Sequence, residues 1–208
     1  MPELTTLGAL TGLAFVSGMR LYSTVLAVGL GLRFGMIDLP ASLASLEALS
    51  STPALIIAGV LYIVEFVADK VPWVDSLWDS VHTFIRPFGA AVLGVAAVGD
   101  VDAVVKTAAF LLSGSIALSS HSAKAGTRLA VNHSPEPFSN VGLSLAEDGL
   151  VVAGVWLALA HPVIALVIVL LLVAIIAWCI PKLFRLFRRS AETIRNFFSL
   201  HRPGAPRV

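Results

Sequence analysis

The stretch from Glu65 to Pro87, "EFVADKVPWVDSLWDSVHTFIRP", sets Glu65, Asp69, Lys70, Asp75, Asp79, His82 and Arg86 between two apolar runs. At about 100° per residue on a helix, Asp75, Asp79, His82 and Arg86 fall on one narrow line. Trp73, Leu77 and Val81 point to the opposite side. Glu65 and Asp69 share a face at i,i+4 spacing, and Glu65 lies where the preceding apolar run should still be inside a membrane. Carboxylates are rare there and usually functional. The line admits three chemistries. It can be a set of ion pairs holding an interfacial helix to its neighbours. It can be a proton or ion path, since a carboxylate in a low dielectric takes up a proton more readily. Two Asp and one His could also ligate a divalent ion, which Arg86 and Lys70 would oppose.

Three further constellations carry charge. In "SSHSAKAGTR", His121, Lys124 and Arg128 share one helical face and suit contacts to an anion or a head group. "SSHSA" resembles the Ser-Gly-His type motif of lipid phosphatases over five residues, without that family's Lys-x6-Arg-Pro or Ser-Arg-x5-His motifs. In "NVGLSLAEDGLVVAG", Glu147 and Asp148 are adjacent acids early in an apolar segment, with Arg128, Lys124 or Arg20 as counter-charges. In "FVSGMRLYST", Arg20 interrupts a long apolar run. An unpaired arginine in mid-membrane costs about 2.5–3.5 kcal/mol even on the insertion scale, so it must face protein or water. A break at Ser17-Gly18 would let Ser17, Tyr22, Ser23 and Thr24 line a pocket, as in transporters with discontinuous helices. An Arg–carboxylate pair stabilising a re-entrant fold is the alternative.

The elements that position these groups follow from composition. The chain is 57% hydrophobic and 13% charged, with a mean hydropathy of +0.91, against about 25% charged in soluble domains. Pro162 to Pro181, "PVIALVIVLLLVAIIAWCIP", carries no charge and is long enough to cross a hydrocarbon core about 30 Å thick. Backbone groups cannot go unpaired in lipid, so the spans are helices. An all-α, polytopic integral membrane protein of about six transmembrane helices is expected, over residues 6–34, 53–68, 83–98, 102 onward, 141–160 and 163–180. The first is broken, and the fourth, fading into "SSHSAKAGTR", is a further candidate for a break. The "GMIDLPASLASLEALSSTPA" connection reads as a short interfacial helix, and Pro72–Pro87 as a cytoplasmic one.

Two loosely matching halves suggest a 3+3 inverted repeat: a helix with a central basic residue, then an acid-bearing helix, then an apolar helix. The N-terminus shows no removable signal peptide. Cys179 excludes an intramolecular disulfide and is expected to pack as a small apolar residue.

Lysine and arginine placement orients the chain. With both termini cytoplasmic, the inner side holds Lys70, Arg86, Lys124, Arg128 and everything from Lys182 onward. The outer side holds mainly Arg33 and Lys106 beside Asp38, Glu47, Asp100 and Asp102, in accord with the positive-inside rule. Residues 1–181 form one transmembrane domain and 182–208 a basic amphipathic cytoplasmic tail. In that tail Leu183, Phe184, Leu186, Phe187, Ile194, Phe197 and Phe198 alternate with Arg185, Arg188, Arg189 and Arg195, as on an anionic leaflet. The last residues, with Pro203, Gly204 and Pro206, are expected to be disordered. A net charge of +1 argues against a nucleic-acid partner.

Together, "SGMRLYSTVLAVGLGLRFG", "EFVADKVPWVDSLWDSVHTFIRP" and "SNVGLSLAEDG" resemble a bacterial membrane-protein family catalogued only as a domain of unknown function (family 4126). The resemblance runs from about Gly8 to Ile180 and omits the basic tail. It implies a small multi-span protein of the bacterial cytoplasmic (inner) membrane, without an assigned activity.

The function expected first is a small transporter or channel-like protein for an ion or small polar solute, working as a homo-oligomer in the bilayer. Glu65, Asp69, Glu147 and Asp148 would be its acidic proton or cation groups, with Asp75, Asp79, His82, Arg86 and Arg20 completing the path. His121, Lys124 and Arg128 would be anion or head-group contacts. No cofactor, resident metal or catalytic residue is expected. A structural or regulatory membrane protein with interhelix ion pairs is the second reading, and an enzyme acting on lipid head groups the third.

Overall fold

A computed structural model describes residues 2–131 and 137–200. These are helical, with no strand among them: α1 (Pro2–Met19), α2 (Leu21–Arg33), a 3-10 helix (Ala41–Ser50), α3 (Thr52–Ala68), α4 (Pro72–Val98), α5 (Ala103–Val131), α6 (Pro137–Ala160) and α7 (Pro162–Leu200). Proline sits in the first turn of α3 and α4, where its missing N–H costs nothing. Asp102 caps α5, its Oδ1 accepting from the N–H groups of Val104 and Val105 at 2.8 and 3.1 Å. Gly99, at φ +68°, closes α4 in a conformation that disfavours side chains.

Four of these helices, covering Trp73–Val98, Ala103–Arg128, Val141–Ala160 and Pro162–Lys182, are long and apolar enough to cross a membrane. The 3-10 helix and α3 together make a fifth if their 70° bend is counted within one span. The sequence suggested six spans. The difference arises in the first half, where the chain folds as short pieces: α2 has 13 residues and α3 has 17. The bundle's outer surface carries Ile57, Ile63, Phe84, Phe88, Leu111, Val152, Leu171 and Trp178, all exposed. Such a surface suits lipid rather than water.

Several expectations change. Pro72–Pro87 is not a separate interfacial helix; α4 runs unbroken through Pro87 to Val98. The fourth segment is unbroken too, because α5 is one helix through Lys124 and Arg128. The outer connection is helical and packs into the bundle. Its Leu43 and Leu46 are almost wholly buried in the core beside Val28 and Leu93, and Arg33 ties its end down through the Ser50 carbonyl and Thr52 Oγ1. Cys179 is exposed on the lipid-facing side of α7. The α7 backbone continues through Pro181 to Leu200. The alternating side chains of the tail beyond Arg185, and residues 201–208, lie outside the described residues.

The core is organised on α1, which packs against α4, α5, α6 and α7. It approaches them closely because it is small there. A Cβ at Gly18 would overlap the Ala117 carbonyl oxygen and Ser120 Oγ of α5, and one at Gly12 would overlap Ala158 of α6. The same α1–α5 contact is clasped by Ser120 Oγ donating to the Phe15 carbonyl at 2.7 Å.

Gly18→Leu is therefore expected to lower stability by about 1–3 kcal/mol through overpacking. Gly59→Leu, where a Cβ meets nothing within 4 Å, should leave the unfolding midpoint in detergent unchanged. A thermal-unfolding comparison of the two checks this.

Candidate functional site

Twelve polar residues singled out from sequence converge in the bundle interior, in two layers one helical turn apart. Each of α3, α4 and α5 contributes to both layers: the acids of α3 and α4 stand at i,i+4 spacing, about 6 Å apart along the axis, and on α5 Lys124 and Arg128 follow His121 by three and seven residues. Thus Asp69, Asp75 and Arg128 belong to one layer, and Glu65, Asp79 and His121 to the other.

The first layer is built on Arg20. The chain breaks there: Arg20 is extended (φ −149°, ψ 95°) between α1 and α2, and Thr24 Oγ1 donates to its carbonyl at 2.8 Å. The break aims a fully buried guanidinium inward. Its Nη1 donates to Asp148 Oδ1 at 2.9 Å, its Nη2 to Ser144 Oγ at 2.7 Å and to Asp69 Oδ2, and its Nε to Glu147 Oε2 at 3.2 Å. Arg128 grips Glu147 with a fork, Nε to Oε1 at 3.0 Å and Nη2 to Oε2 at 2.7 Å, the geometry that makes such pairs strong. Arg128 also donates to the Asp69 carbonyl at 3.1 Å and lies 3.9 Å from Asp75 Oδ1. The Lys124 ammonium stands 3.3 Å from Glu147 Oε2 and 3.8 Å from Asp69 Oδ2. Asp148 is the least buried member and accepts from Ser23 at 3.2 Å and from Tyr62 at 3.3 Å.

The second layer is built on Arg86, also fully buried. Its Nη2 donates to Glu65 Oε1 at 2.7 Å, and its Nη1 to Asp79 Oδ1 and to His121 Nδ1, both at 2.8 Å. A guanidinium only donates, so His121 accepts at Nδ1. Its proton is then on Nε2, 3.1 Å from Thr83 Oγ1, and the ring is neutral. His82 is held the other way. Its Nδ1 donates to the Trp78 carbonyl at 2.8 Å, its Nε2 meets Tyr22 OH at 3.2 Å, and its ring stacks on Trp78.

The α4 line is buried from Asp75 to Arg86 while Trp73, Leu77 and Val81 face outward, as the helical spacing requires. Its members do not converge on a metal: Asp75 faces Arg128, Asp79 faces Arg86, and His82 faces Tyr22. Among the described residues no group of three or more His, Cys, Asp or Glu is placed to hold a metal ion. His121 is buried with both ring nitrogens engaged, not presented to a head group. Arg86, Lys124 and Arg128, which entered the charge bias of the inner side, are buried in pairs instead of standing in loops. Of the pocket-lining hydroxyls expected near Arg20, Ser23, Thr24 and Tyr22 are hydrogen-bonded within the network, and Ser17 is buried.

Ser144, Thr83 and Tyr62 join the site without having been singled out. Ser144 precedes Glu147 by three residues and Asp148 by four, so the helical period that grouped the acids could have found it. Lys70, in the turn after α3, donates to the Phe66 carbonyl at 2.9 Å, not to a carboxylate. Burial, and then the neighbouring Arg20 charge, hold its ammonium below the ordinary lysine value.

A bundle with an apolar outer surface around a sealed network of charge is a multi-pass helical membrane protein. A family model described as a domain of unknown function (DUF4126) matches residues 7–182, and the chain belongs to that family. No curated protein and no solved structure matches it.

Arg86→Met is expected to cost about 3–5 kcal/mol, because it leaves Glu65 and Asp79 buried without their cation. Asp100→Asn, which removes only the exposed partner of Lys106, should leave the unfolding curve in detergent unmoved. Equal midpoints for the two variants would show that the buried pairs do not hold the bundle.

Proposed function

We propose that this chain is a small transporter whose two charge layers bind a proton or a small monovalent cation in an occluded state. The observation that carries it is an imbalance of charge. Leaving Asp75 aside, Glu65, Asp69, Asp79, Glu147 and Asp148 of the network are paired with Arg20, Arg86, Lys124 and Arg128. His121 cannot make up the difference, since it accepts from Arg86. These five carboxylates against four cations leave one negative charge inside an apolar bundle. An uncompensated buried charge costs several kcal/mol, so the interior favours a compensating positive charge. Glu65 Oε2, Asp69 Oδ1 and Asp79 Oδ2 are buried without a hydrogen-bond partner and offer oxygens for that purpose.

In this reading the protein sits in the bacterial cytoplasmic membrane as a homo-oligomer with both termini inside. A sixth crossing made by α1 and α2, and a three-plus-three repeat, belong to the same proposal. Arg20, Glu65 and Arg86 are fully buried, so the occluded state is not an open aqueous channel, and access requires the layers to separate. That same sealing favours a second reading, a structural protein whose pairs only lock helices together. The head-group enzyme loses its support, because His121 has no nitrogen left for a phosphate.

The two surviving readings separate in proteoliposomes. Under an imposed gradient, the native chain should move protons or sodium ions above the rate of empty vesicles. Glu65→Gln should fall to background while retaining the native unfolding midpoint within a few degrees. Flux that is equal in both, or absent from the native chain, assigns the network to structure alone.

A further inference from the structure

An apolar cavity of about 590 Å³ between α1, α5, α6 and α7 touches the charge network at Lys124 and Glu147. It offers a charge no way in, because those two side chains are only 1% and 6% exposed. Most other acids of the network are closed off as well. The side chains of Glu65, Asp69 and Asp75 are 0% exposed, and that of Asp79 is 6% exposed. Asp148 differs, with 18% of its side chain exposed.

Helical position explains the difference. On α6, Ser144, Glu147 and Val151 are buried while Leu145, Gly149 and Val152 lie outward, and Asp148 stands at the edge between the two faces. That side of α6 is bare: a Cβ at Gly149 would meet nothing within 4 Å. Both α3 and α6 pack on α2, and they scarcely touch each other. A gap is left between them, with Ser23 of α2 at its floor and Tyr62 of α3 facing Asp148 across it. At the level of this layer α4 and α5 reach the ends of their spans, with Asp75 two residues inside Trp73 and Arg128 closing the α5 span. Water reaches a carboxylate at such a border, whereas lipid cannot solvate one.

Asp148 is held loosely on its exposed side. Oδ1 accepts from Arg20 Nη1 at 2.9 Å and from Ser23 at 3.2 Å. Oδ2 accepts from the Tyr62 hydroxyl at 3.3 Å, long for a bond between oxygens. Tyr62 is half-buried. Side chains on a helix lean toward its N-terminus, and Gly59, one turn before Tyr62, has open space at its Cβ position. The ring therefore has room to move off Oδ2. The neighbouring cation Lys70 does not take that oxygen, since its ammonium bonds the Phe66 carbonyl and lies 2.9 Å from the Phe66 ring centroid. A positive charge on Oδ2 is felt inside without passing Arg20. One guanidinium holds Asp148 through Nη1 and Asp69 through Nη2, so neutralising Asp148 loosens Nη1 and leaves Arg20 to Asp69 and Glu147.

We propose that the transported proton or cation enters the network through the gap between α3 and α6, with Asp148 the carboxylate it meets first and the Tyr62 hydroxyl the latch over it. The proposal rests on the transport reading and adds to it the point of entry.

The test reads accessibility and flux separately in proteoliposomes. A water-soluble carbodiimide, with the labelled positions located by mass spectrometry, should modify Asp148 and leave Glu65 and Asp69 unlabelled, and flux should fall in proportion to labelling. Tyr62→Phe keeps the ring and removes the latch; labelling of Asp148 and flux should both rise about threefold, as for loss of one weak neutral hydrogen bond. Leu145→Cys, at an exposed position three residues before Asp148, is made with Cys179→Ala and reacted with a bulky maleimide in detergent before reconstitution. That adduct should stop flux, whereas the same adduct at the exposed Leu171 of α7 should not. Native flux with Asp148 unlabelled, with Tyr62→Phe unchanged in both readouts, or with the Leu145 adduct still active overturns the point of entry and leaves transport standing. Absence of native flux overturns the transport reading, and the point of entry with it, whatever the labelling shows.

Discussion

Two buried guanidinium groups, those of Arg20 and Arg86, set the terms for the rest of the molecule. A cation of this size is costly in an apolar bundle unless carboxylates come to meet it. Neither arginine has an acid nearby on its own helix to suffice. Arg20 draws Asp69 from the end of α3 and Glu147 and Asp148 from α6. Arg86 has Asp79 two turns away on α4, and draws Glu65 from α3 and His121 from α5. Helices whose outer faces are interchangeable to lipid are thereby given a unique arrangement. In a membrane, where apolar contacts between helices compete with equally apolar lipid, pairing of this kind supplies what the hydrophobic effect does not.

The layers are also coupled. Because α3, α4 and α5 each contribute to both, a rotation or slide of any of these helices disturbs both guanidinium groups together. The α1–α2 break contributes Arg20 to one layer and Tyr22, through His82, to the other. Binding of a cation at the unpartnered oxygens would change the balance on both arginines. That is the minimum a site needs if occupancy is to be felt across the bundle.

The apolar cavity meets this network at Glu147 and Lys124. Glycines bring α1 against α5 and α6 at Gly18 and Gly12, and against the start of α7 at Gly8, where a Cβ would overlap the Pro162 carbonyl.

How much of this could be read from the chain is clear from particular residues. The buried line of Asp75, Asp79, His82 and Arg86 was legible because helical spacing depends only on position along one helix. Glu65, Glu147 and a break in the first segment were legible because a charge in an apolar run has few acceptable outcomes, although α1 runs on through Ser17-Gly18 and the break falls at Arg20, where the charge itself has to turn inward. Partners were legible only for Glu147 and Asp148, whose counter-charges Arg20, Lys124 and Arg128 were candidates; nothing in the sequence says that Arg20 also meets Asp69, that His121 takes a hydrogen bond from Arg86, or that Ser144 and Thr83 complete the layers. Nor did it show that α4 passes through Pro87 unbroken, or that the 3-10 helix buries Leu43 and Leu46. Local pattern decides which face of a helix is polar and that the whole must be helical in lipid. Which polar faces meet is decided by packing between segments far apart in the chain, where the cost of an unpaired buried charge selects one arrangement among several that the pattern allows.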